Sequence, residues 1–365
     1  MKIAIIGTRG IPNNYGGFEQ FAEYLSVGLV KRGHEVTVYS PHFHPYQKKD
    51  FNGVTIKHIY SPEHLMGSSA NFIYDFLSMK HALKHDFDII LECGYHSNAP
   101  SYYLMNGDKS PVLITNMDGL EWKRSKWNSA TRWLILQMEK LAVKKSHILV
   151  SDNEGIQKYY ERAYNAPSVC IPYGADLINE FHEESLAQYC LSKNEYYLLI
   201  ARLEPENNIE TILSGFDLSG DIQRKMIVLG NHNTKYGRYL KDKFAHNAQI
   251  IFLGAIYDLS ILNDLRCYAR AYFHGHSVGG TNPSLLEAMA SNAYIIAHDN
   301  EFNRSVLGDD ALYFNSAETV KELIQSPIDT DYVAQAIANN RSKIANQYTW
   351  EVITDQYEAL FASSL

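Results

Sequence analysis

Residues 271–297 read AYFHGHSVGGTNPSLLEAMASNAYIIA. The run AYFHG (271–275) has strand composition, and YIIA (294–297) has it again. Between them lie a loop of small polar residues and a short apolar helix. Strand, crossover helix and strand make the repeating unit of a parallel sheet. Asn282 suits the N-cap of the helix and Pro283 its first position. Gly279 and Gly280 let a ligand approach the backbone closely, and the amides around Gly280, Thr281 and Asn282 carry the positive end of the helix dipole. This makes 279–282 a candidate seat for a phosphate or a sugar. Glu287 lies just over one turn inside the helix. A carboxylate there either compensates the dipole or accepts two hydrogen bonds from a vicinal diol such as a ribose. Dipole compensation accounts for the acid; it does not account for the glycine pair.

The same alternation extends outward in both directions. In the first half, strands are expected at 2–6, 35–39, 54–60, 88–92, 112–116, 147–151 and 168–172; in the second, at 196–200, 225–229, 249–253, 271–275, 294–297 and 311–314. Phe18, Phe21, Ala22, Leu25 and Leu29 recur at helical spacing, and Gly33 ends that helix. The pattern restarts after the turn residues near Tyr173–Asp176. The expected organisation is α/β, with two Rossmann-like domains facing across a cleft: 1–173, then 174–346. In the tail, Trp350, Ile353, Tyr357 and Leu360 or Phe361 share one helix face, so 347–365 is expected as a closing helix packed back on the N-terminal domain. Open α/β sheets take ligands beyond the carboxyl ends of their strands.

Composition removes several function classes. A net charge of −8 over 365 residues does not suit a general nucleic-acid binder. Cys93, Cys170, Cys190 and Cys267 are scattered without a C-x-x-C pair, which fits a reducing cytoplasm and argues against a zinc cage. No apolar run approaches the roughly 18–20 residues of a membrane span. The N-terminal MKIAIIG is too short for a signal-peptide core and reads as a strand. No metal is expected. The triplets Asp86–Asp88 and Asp329–Asp331 read as solvated turns, and the pairs His42/His44 and His274/His276 have no evident third ligand.

Two further loops follow strand ends. GTRGIPNNYGGFE (7–19) brings Gly16 and Gly17 to the start of the first helix, a seat for an anionic group. A dinucleotide fingerprint is absent there, and the second strand ends in Tyr39 and Ser40 without a ribose-binding acid. In ARLEPENNIETIL (201–213), Arg202 is positioned to grip a diphosphate, or to pair with Glu204 or Glu206 on the surface.

Beside these readings stands a resemblance. VLG (228–230), IIFLGAI (250–256), GGTNPSLLEAMASNAYIIAHD and GDDALYF resemble the donor-binding half of the retaining glycosyltransferases of family 4, which have the GT-B fold. IGTRGIPNNYGGFE, NMDGLEWKRSKW (116–127) and SDNEGIQKYYERAY…IPYGAD (151–176) resemble its rhamnosyltransferase-like branch. The resemblance implies that Glu287 is the second acid of the family's E-x7-E motif, holding the nucleotide ribose, and that Arg202 meets the diphosphate. It implies that the Gly16–Gly17 loop closes on donor phosphate and acceptor. The first acid of the motif falls at Gly279, and the lysine usually found after P-E is Asn207. Both departures bear on the donor, and they accord with a less polar 6-deoxy sugar. The place of the family's N-domain histidine is taken by Asp118, a candidate hydrogen-bonding group near the reacting sugar. His274 and His276 end a strand beside the donor loop, and His276 is a candidate lining residue of the sugar pocket.

The implied activity is metal-independent retaining transfer from a nucleotide sugar, dTDP-rhamnose foremost, to a lipid-linked saccharide in surface polysaccharide synthesis, with no cofactor. A UDP-hexose transferase, a sugar-nucleotide epimerase and a non-catalytic sugar-nucleotide-binding scaffold are the alternatives. In 122–145 seven basic residues and three tryptophans stand against one acid. Two readings are open for this stretch: a helix with a solvated basic side and Trp133, Leu134, Met138 and Leu141 buried, or a peripheral contact with anionic lipid on the inner face of the cell membrane.

Overall fold

The computed structural model describes residues 1–14, 16–105, 111–124 and 127–365. The chain divides into two units, Met1–Gly174 with Trp350–Leu365, and Ala175–Thr349.

The strands of the first unit are β1 (Lys2–Ile6), β2 (Glu35–Pro41), β3 (Asp50–Phe51), β4 (Val54–Ile59), β5 (Ile89–Cys93), β6 (Val112–Asn116), β7 (Ile148–Ser151) and β8 (Val169–Cys170). Their order in the sheet is β3-β4-β2-β1-β5-β6-β7-β8. Every neighbouring pair is parallel except β3 with β4. Ile3, Ala4, Ile5 and Ile6 of β1 are all fully buried, because a central parallel strand is covered on both faces. The short β3 was not among the expected strands. Its signal is Asn52-Gly53, a two-residue hairpin turn with φ of 51° and 85°.

Helix Gly17–Lys31 turns Phe21, Ala22, Leu25 and Leu29 into the core, and its end is followed by Gly33 at φ 86°. Helix Trp350–Ser364 belongs to this unit. It lies against helix Gly17–Lys31: Trp350 stacks on Tyr24 at 4.7 Å, and Tyr357 meets Phe21 at 5.2 Å. Gly28 sits against Thr354, so the two backbones come close there. Helices Ser129–Lys145 and Glu154–Tyr164 are joined by a buried acid. Glu139 accepts hydrogen bonds from the hydroxyls of Tyr95 (2.7 Å), Tyr159 (2.6 Å), Tyr160 (3.4 Å) and Tyr164 (2.6 Å). A carboxylate removed from water is tolerable when so fully hydrogen-bonded.

The second unit holds β9 (Tyr196–Ile200), β10 (Lys225–Leu229), β11 (Ile250–Gly254), β12 (Ala271–His274), β13 (Ile295–His298) and β14 (Leu312–Phe314). Their order is β11-β10-β9-β12-β13-β14, all parallel. This is the doubly wound order in which the chain starts at the centre, runs to one edge, returns and runs to the other. The reversal falls between β9 and β12. In the first unit the corresponding reversal falls between β1 and β5. Tyr197, Leu199, Phe216, Val228 and Phe273 form the heart of the second core.

Candidate functional site

In the second unit, the loops after β10, β9 and β12 are fitted together by two glycines. A Cβ on Gly230 would fall inside the carbonyl oxygen of Ala201, and one on Gly275 inside that of Asn207. Only glycine allows these backbones to approach so closely. Hydrogen bonds then lace the loops. Asn208 Nδ2 donates to the Gly275 carbonyl at 2.8 Å, and Ser277 donates to the Glu206 carbonyl from Oγ at 2.7 Å and from N–H at 3.2 Å.

Arg202 stands on the loop after β9 with its side chain exposed. Among the described residues its guanidinium makes no hydrogen bond or ion pair, and neither Glu204 nor Glu206 pairs with it. Its carbonyl accepts from Asn207 Nδ2 at 2.7 Å and from the Glu204 N–H at 2.8 Å. Asn207 is therefore a buried brace for the Arg202 turn, with its amide directed at backbone. Asn207, standing where the resemblance places a donor-binding lysine, spends its amide nitrogen on that carbonyl.

Across the reversal, Asn282 caps helix Pro283–Ala290 by accepting from the N–H of Ser284 at 3.0 Å, and Pro283 takes the first position. Gly279 has φ 126°, a backbone that side chains rarely adopt, with open space where a Cβ would stand. Gly280 is half-buried, while Thr281 is buried. Glu287 carries a feature not anticipated: Arg266 of helix Leu259–Tyr268 donates to its Oε2 at 2.6 Å. Arg266 is itself almost fully buried, and it also reaches Asn263 Oδ1 at 3.1 Å. The pair holds the Glu287 side chain in one orientation. No motif links Arg266 to Glu287 in the sequence; only helix packing brings them together.

His274 closes β12 fully buried, and neither ring nitrogen has a partner. Burial pushes it well below the usual histidine range, reinforced by His276, Arg266 and His298, so the ring is neutral. His276 stacks on it at 4.5 Å, and its carbonyl accepts from Asn300 and Asn303 at 3.0 Å each. A cavity of about 360 Å³ in this unit lies elsewhere, toward the amino ends of β12 and β13, between Tyr197, Ala271, Tyr294 and Tyr332.

Gly16, Gly17 and Asp118 belong to the first unit. Gly16 is extended and precedes the helix without a side-chain cap. Phe18 packs over Gly94, whose N–H donates to the Asn116 carbonyl at 3.0 Å. Asp118 follows β6 at φ 50°, held by its own N–H bonding Asn116 Oδ1 at 3.0 Å. The described residues just past β1, β5 and β6 thus lie together at the carboxyl end of this sheet. Glu19, not singled out in the sequence, accepts from the Arg9 N–H at 2.8 Å and anchors the glycine loop. Burial raises its carboxyl above the ordinary range, against the pull of the Arg9 amide. Tyr15 in this loop lies outside the described residues.

Among the described residues no group of three or more metal-ligating side chains converges. The D-x-D triplets have local duties. Asp88 accepts from the Lys2 N–H at 2.7 Å, and Asp329 caps helix Thr330–Lys343 where a solvated turn was expected. His42 and His44 each accept from a backbone N–H. In the basic stretch, Ser125 and Lys126 lie outside the described residues. Ile135, Glu139 and Ala142 of helix Ser129–Lys145 face inward, while Trp133 is 63% and Leu134 41% exposed. The expectation that Trp133 and Leu134 are buried is corrected, because Glu139 and its tyrosines set which face turns in. Met138 and Leu141 are half-buried. No described helix is long and apolar enough to cross a membrane.

Residues 182–343 match the family model of glycosyl transferases group 1, and residues 1–176 match a domain of unknown function, DUF1972. A comparison with curated protein sequences gives no match. Among solved structures, sucrose-phosphate synthase from Thermosynechococcus elongatus is similar over 100% of this chain and 98% of its own, with TM-score 0.81 at 16% identity. A glycosyltransferase from Rickettsia africae covers 99% and 97% with TM-score 0.74 at 14% identity. The Anabaena protein HepE in complex with UDP and glucose covers 100% and 99% with TM-score 0.75 at 14% identity. The chain thus has the GT-B fold, and the glycosyl transferases group 1 model matches residues within its second unit.

Proposed function

We propose that the chain is a retaining glycosyltransferase of family 4 that moves a sugar, rhamnose from dTDP-rhamnose in the first instance, onto a lipid-linked saccharide during surface polysaccharide synthesis. The observation that carries the reading is the pairing at the β9/β12 reversal. A solvent-facing Arg202 stands on one loop, and the next loop leads into a capped helix end with a fixed carboxylate, Glu287, inside a domain matching glycosyl transferases group 1. A nucleotide diphosphate fits that arrangement. The helix-end amides and the guanidinium supply donors to its oxygens, and the carboxylate accepts from the ribose hydroxyls. As the anomeric carbon leaves the diphosphate through an oxocarbenium-like state, negative charge grows on the departing oxygen. A fixed cation and backbone dipoles lower the barrier by meeting that charge without reorganising. The leaving phosphate takes the acceptor's proton on the same face, so the reaction needs no separate protein base. In the first unit, the Gly16–Gly17 loop would close on donor phosphate and acceptor, and Asp118 would bond the reacting sugar.

Gly279 supports a 6-deoxy donor. Its φ of 126° disfavours the acid that would otherwise contact sugar hydroxyls. A UDP-hexose donor is the second reading, favoured by the HepE complex with UDP and glucose. An acceptor on a lipid would put the reaction at the inner face of the cell membrane. The exposed Trp133 and Leu134 amid the lysines of 122–145 suit contact with anionic headgroups there.

Thermal denaturation with a panel of nucleotide sugars tests the donor, since a ligand that binds only the native state raises the melting temperature. The largest shift is expected with dTDP-rhamnose; a larger shift with UDP-glucose transfers the reading to the hexose. Incubation with a lipid-diphosphate sugar then separates the activities. A transferase makes a new lipid-linked product, an epimerase makes an isomer without acceptor, and a scaffold makes neither.

A further inference from the structure

The first unit has a small cavity at the carboxyl end of its sheet that the foregoing reading does not use. Its walls come from Thr8 and Arg9 after β1, Ser61 after β4, Ser97 after β5, and Tyr74 and Asp75 of helix Asn71–Ala82. Its volume is about 40 Å³, room for roughly three waters or for one hydroxyl-bearing edge of a sugar ring. Tyr74 is 4% exposed, and among the described residues its hydroxyl has no hydrogen-bond partner; the nearby Ser78 hydroxyl donates instead to the Tyr74 carbonyl at 2.8 Å. Asp75, equally buried, accepts from Ser97 Oγ at 2.5 Å through Oδ2, and no hydrogen bond reaches its other oxygen among the described residues. A buried phenol without a partner costs free energy unless a ligand or water supplies one.

We propose that this cavity is a hydroxyl-recognising subsite of the first unit, in which Tyr74 and Asp75 together bind one hydroxylated edge of a saccharide. A sugar edge with adjacent hydroxyls offers both a donor and an acceptor, and the cavity supplies the complements: a phenol that donates and a carboxyl that accepts. Arg9, whose Nη1 donates to both Glu63 carboxylate oxygens at 2.9 and 3.2 Å, fixes the rim. Glu92 lies beneath. Neither of its carboxyl oxygens has a hydrogen bond of ordinary geometry, and Gly7 leaves no room for a side chain above it. Burial, and then Asp75, drive Glu92 well above the ordinary range, so it adds no charge below the site. A neutral floor suits an uncharged polyol better than an anion or a cation. The assignment names the saccharide-binding end of the proposed transferase, and it rests on that reading.

The test compares the full chain with Tyr74→Phe and Asp75→Asn. Saturation-transfer NMR is recorded with methyl α-L-rhamnoside, methyl α-D-glucoside and methyl α-D-galactoside, in the presence of saturating UDP or dTDP. Melting shifts with the nucleotide alone are measured in parallel. At least one glycoside is expected to bind the unaltered chain, with about fivefold to tenfold weaker binding in either variant, the loss of one hydrogen bond. Nucleotide shifts are expected to stay unchanged. Tyr74→Phe removes a hydroxyl that has no partner, so it should fold with undiminished stability. No glycoside bound by the unaltered chain, or equal binding in all three proteins, overturns the subsite while leaving the transferase reading standing. Absence of any nucleotide shift in the unaltered chain sinks the transferase reading itself.

Discussion

Glu92 stands near the carboxyl end of β5, and His274 at the carboxyl end of β12. Each strand lies beside the first strand of its sheet, where the winding reverses. Each side chain is fully buried, and neither has a hydrogen-bond partner of ordinary geometry. Burial drives the two in opposite directions, Glu92 up and His274 down, and both end uncharged. The surroundings differ. Around β5 are the acids Glu19 and Asp75 and a small polar cavity; around β12 are an exposed arginine, a helix amino end and a paired carboxylate. One topology thus yields two crevices. Their chemistry follows from the few residues placed just past the strands, one suited to a neutral polyol and the other to a phosphorylated ligand.

The strongest way to break this contrast is to remove its cation. Arg202→Ala should lower turnover by about 10²–10³, with a smaller change in KM, if the guanidinium meets charge that grows in the transition state. Unchanged steady-state kinetics would remove Arg202 from the site. Gly275→Ala should come next, at about 3 kcal/mol of stability, because the new methyl meets the fixed Asn207 carbonyl. Gly279→Ala, four residues on, has open space and only its backbone angle to overcome, about 1 kcal/mol. Denaturant unfolding of the two variants measures the difference; equal losses would mean the loops are not braced as described.

The polyol-type crevice predicts a pH effect of opposite sense to ordinary acid denaturation. Asp75 is raised from the usual carboxyl value to about 7 by burial, partly offset by Ser97. Its neutral form is the one the fold prefers. That contribution is complete below the unfolded value near 4 and is lost as pH rises through 7. Asp75→Asn should therefore gain on the unaltered chain between pH 5 and 8, by on the order of 2 kcal/mol, since the adjoining cavity admits water. Unfolding midpoints across that range decide it; a flat difference would mean Asp75 is ionised throughout. The smallest effect expected is at Trp133, where Trp133→Ser should change stability by no more than about 0.5 kcal/mol. Sedimentation with phosphatidylglycerol vesicles should nonetheless fall, and unchanged sedimentation would take this helix off the membrane.

Much of the framework was legible because it rests on local periodicity. β1, β6, β9 and β10 begin and end where their apolar runs do, and Asn282-Pro283 marks a helix start by capping chemistry alone. β3 escaped, although Asn52-Gly53 announces its hairpin. The site was legible only in part. Arg202 and Glu287 stand out by following strand ends. Arg266, Glu19 and the Tyr74–Asp75 cavity do not, since each depends on contacts between residues 10 to 22 positions apart in the chain. Asn207 adds a contact the motif does not announce: its amide braces the Arg202 carbonyl.

Helix Trp350–Ser364 carries a consequence for how the molecule can be taken apart. Because it belongs with residues 1–174, the segment Ala175–Thr349 is an insert, a continuous cassette whose two ends are bridged by the Ala175 N–H bonding the Tyr348 carbonyl at 2.7 Å. Gly174 meanwhile lies against the Trp350 ring. Excising the cassette and splicing 174 to 350 through a short linker should leave the polyol-type half with its hydrophobic seam intact. Cutting the chain at 349 should instead strip Phe21 and Tyr24 of the cover given by Tyr357 and Trp350 and yield an insoluble fragment.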